Sequence, residues 1–285
     1  MTSVLYDDLG PRGRRRVRVA TVAAVAVLAL LAYVAVARLA DHGQLEGRRW
    51  ANLGNKDLLT FLAKGLWANV RAAVIGMALA LVLATVLALG RLSRNRLVRW
   101  IAGFVIETFR GLPQLLFILG AALLLPKYGY ELDPIYYVVV GLTLYEGAVI
   151  GEIFRAGILS LDRGQTEAAY AVGLSYRQAM ALVVVPQAVR RMLPAIVSQL
   201  VTLFKDTSLG YAIAYEEMVR RGRIASVQFG ESLLQIALLV AVTFILINMT
   251  LSRTARWLEG RQQRRYGGPA ATVTGVEDLA VIEPA

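Results

Sequence analysis

Three long runs without a charged residue constrain this chain more than any other feature. They are Val19–Ala37 and Ala72–Gly90, 19 residues each, and Ser232–Ser252, 21 residues. At ~1.5 Å rise per residue, a helix of each length crosses the ~30 Å hydrocarbon core of a bilayer. Lipid offers no hydrogen bonds to a backbone, so such spans must be helices. Three further apolar stretches carry isolated polar residues. Trp100–Pro126 holds Glu107 and Arg110, Ile135–Phe154 holds Glu146 and Glu152, and Met192–Ala214 holds Lys205 and Asp206. The expectation is an all-α polytopic membrane protein with six transmembrane helices, joined by segments 38–66, 91–99, 127–134, 155–191 and 215–231.

Charge sets the orientation. The N-terminal tail, 91–99, 155–191 and the tail from Arg253 hold 19 of the 31 Lys and Arg residues, against 9 in the alternate segments. Positive loops stay inside, so both termini and the 155–191 loop are expected to be cytoplasmic. The same bias accounts for the net charge of +11 without a nucleic-acid partner. Arg12-x-Arg14-Arg15-Arg16 before a run ending Ala35-Val36-Ala37 has the outline of a cleavable signal. That run exceeds the usual ~7–15-residue signal core, which favours an uncleaved anchor. The last 26 residues, from Gly260, show no apolar period and read as a disordered tail.

Composition removes several chemistries. Cys is absent and His42 is the only His, which excludes thiol nucleophiles, thiolate metal sites and His relays. The Walker pattern G-x4-G-K-[ST] is also absent, so the chain is expected to bind no cofactor and to hydrolyse no nucleotide itself.

The 155–191 loop is the most informative polar segment. Ala168 and Ala169 are small enough to let a partner approach the backbone. Glu167 follows Gln165-Thr166 at an expected helix start, where the dipole favours an acid. Gly173 permits a backbone conformation closed to other residues, and Leu174-Ser175 leads a second helix. Pro186 closes that helix or turns it toward the membrane. Spacing alone leaves open whether this pair of short helices has a partner.

The pattern Glu167-Ala168-Ala169-x3-Gly173-x9-Val183-x-Val185-Pro186 resembles the loop by which permease subunits of ATP-binding-cassette importers dock onto their ATPases. Phe109-Arg110-Gly111-Leu112-Pro113, Glu152-x2-Arg155-x-Gly157, Gly164-Gln165, Pro186-Gln187-Ala188 and Lys205-Asp206-Thr207-Ser208-Leu209 are similar to the polar amino acid branch of that family. Within that branch the chain most resembles actinobacterial glutamate permease subunits, a likeness to which the N-terminal extra helix and Gly43-Gln44-Leu45-x-Gly47-x-Arg49-Trp50 add. Val183 and Val185 are conservative departures from the pattern. The resemblance covers about residues 62–255 and implies a five-helix type I importer core. Residues 1–61 would add a cytoplasmic tail, one extra helix and an extracytoplasmic loop, and 256–285 a disordered cytoplasmic tail.

The resemblance also implies partners. A dimer of ATPase subunits, using ATP and Mg, would take up the coupling residues Glu167, Ala168, Ala169, Gly173, Leu174 and Pro186. A second permease subunit, identical or homologous, would complete the pathway in the bacterial cell membrane. An extracytoplasmic binding protein would deliver the amino acid, with glutamate the leading choice.

Intramembrane charges cost ~2.5–3.5 kcal/mol each on insertion scales, so they usually face protein or water. Glu107 and Arg110, three apart, share a helical face and are placed to pair. Gly111 and Pro113 break the helix beside them, as in discontinuous helices that line transporter sites. Lys205, Asp206, Thr207 and Ser208 form a second cluster, where Lys205 suits a substrate carboxylate and Asp206 or Glu146 an ammonium group. Each cluster also reads as a purely structural pair or helix-to-helix network. An ion-coupled secondary transporter is the alternative function, but it would need no docking loop and usually shows repeat symmetry. A membrane-embedded enzyme would need a catalytic pair that the sequence does not offer.

Overall fold

The computed structural model describes residues 10–228 and 232–266. Eleven α-helices follow one another among them: α1 Pro11–Asp41, α2 Gly47–Ala51, α3 Lys56–Arg91, α4 Arg96–Gly111, α5 Gln114–Leu124, α6 Pro134–Leu159, α7 Arg163–Ala171, α8 Tyr176–Ala179, α9 Val185–Asp206, α10 Met218–Gln228 and α11 Leu233–Tyr266. Five runs are long and apolar enough to cross a membrane, or six when the bent α4–α5 pair counts as one span.

α6 is the centre of the bundle, and glycine makes that possible. A Cβ at Gly141 would lie 2.7 Å from the Ile118 backbone nitrogen on α5, and one at Gly147 would lie 2.7 Å from Leu83 on α3. Gly151 faces the Ala84 carbonyl, also on α3. α3 answers with its own small residues: Ala68, Ala72, Ala73, Ala80 and Ala84 are all buried. In lipid, where apolar surface gains nothing by leaving solvent, close approach through small residues is what holds helices together. Leu142, Val138, Ile150, Leu203 and Phe204 fill the core that results.

α3 starts at Lys56, 16 residues ahead of the uncharged run beginning at Ala72, so the expected 38–66 segment is largely helical. Asn55 accepts a hydrogen bond from the Asp57 amide (2.8 Å) and caps it. At 36 residues α3 is about 54 Å long, more than the hydrocarbon core requires, so it stands out of the membrane. The boundary near residue 62 therefore falls inside a helix. α11 likewise runs to Tyr266, so 256–266 are helical, not a loose tail. Residues 267–285 of the expected tail lie outside the described residues.

Trp100–Pro126 is not a straight span. α4 ends at Gly111, α5 begins at Gln114, and the two arms meet at 97°. Pro113 has no amide to donate and Leu112 before it is extended (ψ 144°), as the residue preceding proline prefers. Within the joining segment 215–231, Met218–Gln228 is helical. α10 packs on α3 and α11 around Leu58, Leu62, Met218, Ala225, Ile236 and Val240. Gly65 lets the α10 N-terminus touch α3, since a Cβ there would come 2.8 Å from the Met218 Cα. α1, by contrast, has no buried residue.

Candidate functional site

The 155–191 loop forms a braced bracket. Asp162 accepts from the Gly164 amide (2.7 Å) and starts α7. Glu167 is therefore the fifth residue of α7, beyond the first turn in which an acidic side chain was expected to meet the dipole. Gly173 has φ +84°. The amides of Leu174 and Gly173 donate to the Ala169 and Tyr170 carbonyls (3.1 and 2.9 Å), the paired bonds of a Schellman cap that needs a left-handed residue at Gly173. Ser175 and Gln178 then form a capping box: the Ser175 amide donates to Gln178 Oε1 (2.9 Å) and α8 begins.

The second helix does not end at Pro186. α8 passes through a π-helical turn, Met180–Val184, straight into α9, where Pro186 is the second residue. The wide turn falls just where proline withholds an amide, and the chain turns toward the membrane without a break. Tyr176–Ile213 thus forms one helical run of 38 residues.

Glu167 and Ala168 are exposed on α7, whereas Ala169 is only 4% exposed and faces the rest of the chain. Tyr170, Val172 and Tyr176 stand out beside Glu167, with Val172 77% exposed. These apolar residues escaped sequence reasoning; only their placement around a glycine at a loop tip signals them. Beneath the loop, Leu161, Val184, Ala188 and Met192 form a small core. Gln187 Nε2 donates to Gln165 Oε1 (3.0 Å), Arg191 Nη1 to the Ser160 carbonyl (2.9 Å), and Arg155 grips Glu152 (Nη2–Oε1 2.6 Å). The bracket is therefore fastened to the end of α6 and the start of α9.

The intramembrane polar residues fall in three places. At the elbow, Arg110, Gly111 and Pro113 are exposed. Glu107 does not pair with Arg110; it meets Arg91 of α3 at 3.9 Å. In the α6–α9 packing, Glu146 is fully buried and accepts from Gln199 Nε2 at 2.7 Å. The third place is a cleft of about 850 Å³ between α9, α10 and α11, where Lys205 and Ser208 meet Tyr211, Arg223, Phe244 and Asn248. Asp206 is half-buried at the end of α9, and Thr207 is buried.

Thr207 belongs to a polar knot that local spacing does not reveal. Its Oγ1 donates to the Phe204 carbonyl (2.7 Å) and accepts from Asn69 Nδ2 (2.8 Å). Asn69 Oδ1 accepts from the Met218 amide (3.0 Å), and Asn69 Nδ2 also reaches Glu217 Oε2 (3.4 Å). Glu217, fully buried, accepts from the amides of Val219 (2.9 Å) and Arg220 (2.7 Å). Burial pushes its carboxyl above the ordinary range, and those hydrogen bonds partly oppose the shift. One Asn thereby ties α3 to the end of α9 and the start of α10. Among the described residues no cluster of His, Asp and Glu is suited to a metal ion.

Comparison with known proteins agrees with this architecture. Residues 53–264 match the family model described as binding-protein-dependent transport system inner membrane component. The glutamate transport system permease protein GluD of Corynebacterium glutamicum is 41% identical over 230 residues, covering 79% of this chain and 84% of that protein. The "Probable glutamine ABC transporter permease protein GlnP" of Bacillus subtilis is 37% identical, covering 73% of this chain and 96% of that one. Among solved structures, an amino acid ABC transporter crystallised with histidines superposes with a TM-score of 0.66 at 25% identity, covering 71% of this chain and 94% of that chain. With a capped loop leading into a continuous helix, a largely apolar cleft carrying Lys205 and Arg223 toward its other end and a family match across most of its length, this chain belongs to the binding-protein-dependent transport system inner membrane components.

Proposed function

We propose that this chain is the membrane-spanning subunit of an ATP-driven importer for a polar amino acid, with glutamate the leading substrate. The carrying observation is that the capped loop leads directly into one continuous helical run, Tyr176–Ile213, that lines the cleft with Lys205, Ser208 and Tyr211. A push on α7 and α8 is passed through the small core of Leu161, Val184, Ala188 and Met192 to α9, with Lys205 near its far end and Ser208 just beyond it lining the cleft. ATP binding and hydrolysis belong to a separate ATPase dimer that seats Glu167, Ala168 and the Gly173 turn, with Ala169 and Leu174 shaping the turn from within. Pro186 directs the push upward.

In the cleft, Lys205 offers a cation to a substrate carboxylate, and Arg110 at the elbow offers another along the path. A second permease subunit closes the pathway and an extracytoplasmic binding protein supplies it, with the loop on the cytoplasmic face. The glutamate and glutamine relatives support an amino acid bearing a polar side chain. Acidic substrates are favoured by the cationic lining of Lys205, Arg223 and Arg256.

The test is reconstitution of the chain with an ATPase and a binding protein encoded beside it, followed by uptake of labelled glutamate, glutamine, arginine and histidine. Glutamate uptake that requires ATP and the binding protein is the expected result. Uptake driven by an ion gradient without ATP would replace this reading with a secondary transporter. Crosslinks from 164–186 that never reach the ATPase would refute the coupling role.

A further inference from the structure

The turn joining α3 to α4 carries a positive patch that coupling and transport leave unused. Arg91 closes α3, Arg94 lies in the turn, and Arg96 and Arg99 lie in the first turns of α4, where no acidic residue balances them. Arg91, Arg96 and Arg99 line a cleft of about 610 Å³ together with Leu97 and Trp100. It is a shallow, open surface depression, suited to a headgroup lying across it and not to an enclosed ligand.

Two of the three guanidinium groups, those of Arg91 and Arg99, are held in place. Arg91 crosses α4 over Gly103, where a Cβ would collide with its Nη1, and reaches Glu107 at 3.9 Å. Its Nε is buried without a hydrogen-bond partner among the described residues. Arg99 Nη1 donates to the Ser93 carbonyl (3.0 Å), which fixes the side chain but leaves its charge uncompensated. Arg96 is exposed and forms no ion pair among the described residues. Glu107 is the only carboxylate that meets any of these four arginines in an ion pair there.

The apolar half of the cleft decides the ligand class. Leu97 and Trp100 are 64% and 66% exposed, and Trp100 stacks on Phe104 one turn further along α4. A free phosphate would use the arginines and leave Leu97 and Trp100 in water. A lipid phosphate would use both, because its glycerol and acyl chains lie against the apolar side while Trp stays at the interface. The uncharged run Ala72–Gly90 of α3 ends immediately before Arg91, which puts the depression at the headgroup end of that span. We propose that Arg91, Arg96 and Arg99 bind the headgroup phosphate of an anionic phospholipid, with Leu97 and Trp100 packing on its glycerol and upper acyl chain. The site adjoins the coupling loop, since Arg94 lies 4.9 Å over the ring of Tyr176 at the start of α8. The proposal uses the cytoplasmic assignment of this end only to name the leaflet.

The chain has four Trp residues, so Trp100 can be isolated as a reporter by replacing Trp50, Trp67 and Trp257 with Phe. The full chain is reconstituted into vesicles containing a small mole fraction of brominated phosphatidylglycerol or brominated phosphatidylcholine, and Trp100 fluorescence is followed. The expected result is half-maximal quenching at a mole fraction about fivefold or more lower for phosphatidylglycerol, as at least one arginine–headgroup attraction implies. R96Q/R99Q abolishes that preference, while R96K/R99K, which keeps the charge, retains most of it. Equal quenching by both lipids, or a preference that survives R96Q/R99Q, overturns the site. Loss of the preference on adding millimolar inorganic phosphate, at constant ionic strength, would assign the cleft to a free anion and overturn the lipid. Either vesicle leaflet serves in this assay, so labelling of Ser93→Cys from one side reads orientation separately: cytoplasmic labelling supports the inner leaflet, and external labelling overturns the leaflet alone.

Discussion

Replacing Gly173 separates two reasons why the proposed coupling loop needs a glycine. Its φ is +84°, and a Cβ built there meets nothing within 4 Å. Alanine at this position therefore gains no clash within the chain, and its whole penalty is the left-handed backbone, about 1–2 kcal/mol for an L-residue. Asparagine tolerates that region better and should cost less. If the ATPase recognises only the Schellman-capped loop, the strain weakens its binding at most by the same free energy, about 5–30-fold for Gly173→Ala. Gly173→Asn should lie between alanine and the native chain. Gly173→Glu adds a charge at the loop tip and should abolish docking while the protein still inserts. The assay is titration of the reconstituted permease with purified ATPase, read as binding and as transport per ATP hydrolysed. Equal losses for alanine and asparagine would show that side-chain bulk at the interface matters and not backbone conformation. Native binding by Gly173→Ala, or full uptake by Gly173→Glu with normal ATPase co-purification, would refute the reasoning altogether.

Four other substitutions probe other parts of the molecule. Asn69→Ala removes partners of Glu217, Thr207 and the Met218 amide at once, and leaving such buried groups unsatisfied costs about 1–3 kcal/mol; a thermal midpoint unchanged in detergent would contradict the polar knot. Gly147→Val forces its side chain onto Leu83, and overpacking of this kind costs about 1–3 kcal/mol or displaces α3; native stability and uptake in that variant would show the seam to be loose. Lys205→Ala and Arg110→Ala should lose uptake while the protein inserts and the ATPase still binds, and unchanged KM and rate in either would return that residue to a structural role.

The features readable from sequence were those encoded within a few residues. Uncharged runs located the spans, Gly111 and Pro113 located the elbow, and Gly173 located the left-handed turn. Lengths were misread where charge is compatible with helix: Lys56, Asp57 and Lys64 interrupt the apolar run but not α3, and the arginines after Ser252 do not stop α11. Pro186 did not show which of its two outcomes holds, because the π turn that absorbs it depends on packing of Val184 and Ala188 under the loop. Glu107 found Arg91 and not Arg110, since Gly103 opens a path across α4 that i, i+3 spacing does not describe. Asn69, Thr207 and Glu217 were the least legible. Their bonds join residues 138 and 148 positions apart, and only the folded bundle brings them together.

α1 has none of its 31 residues buried against the other described helices of this chain. Cutting it away opens no void and unpairs no helix. A loss caused by deleting 1–41 would therefore report failed delivery to the bilayer, not a damaged bundle. If the bundle moves as the proposed function requires, no buried contact within this chain obliges this helix to follow, and it would serve as a mooring line.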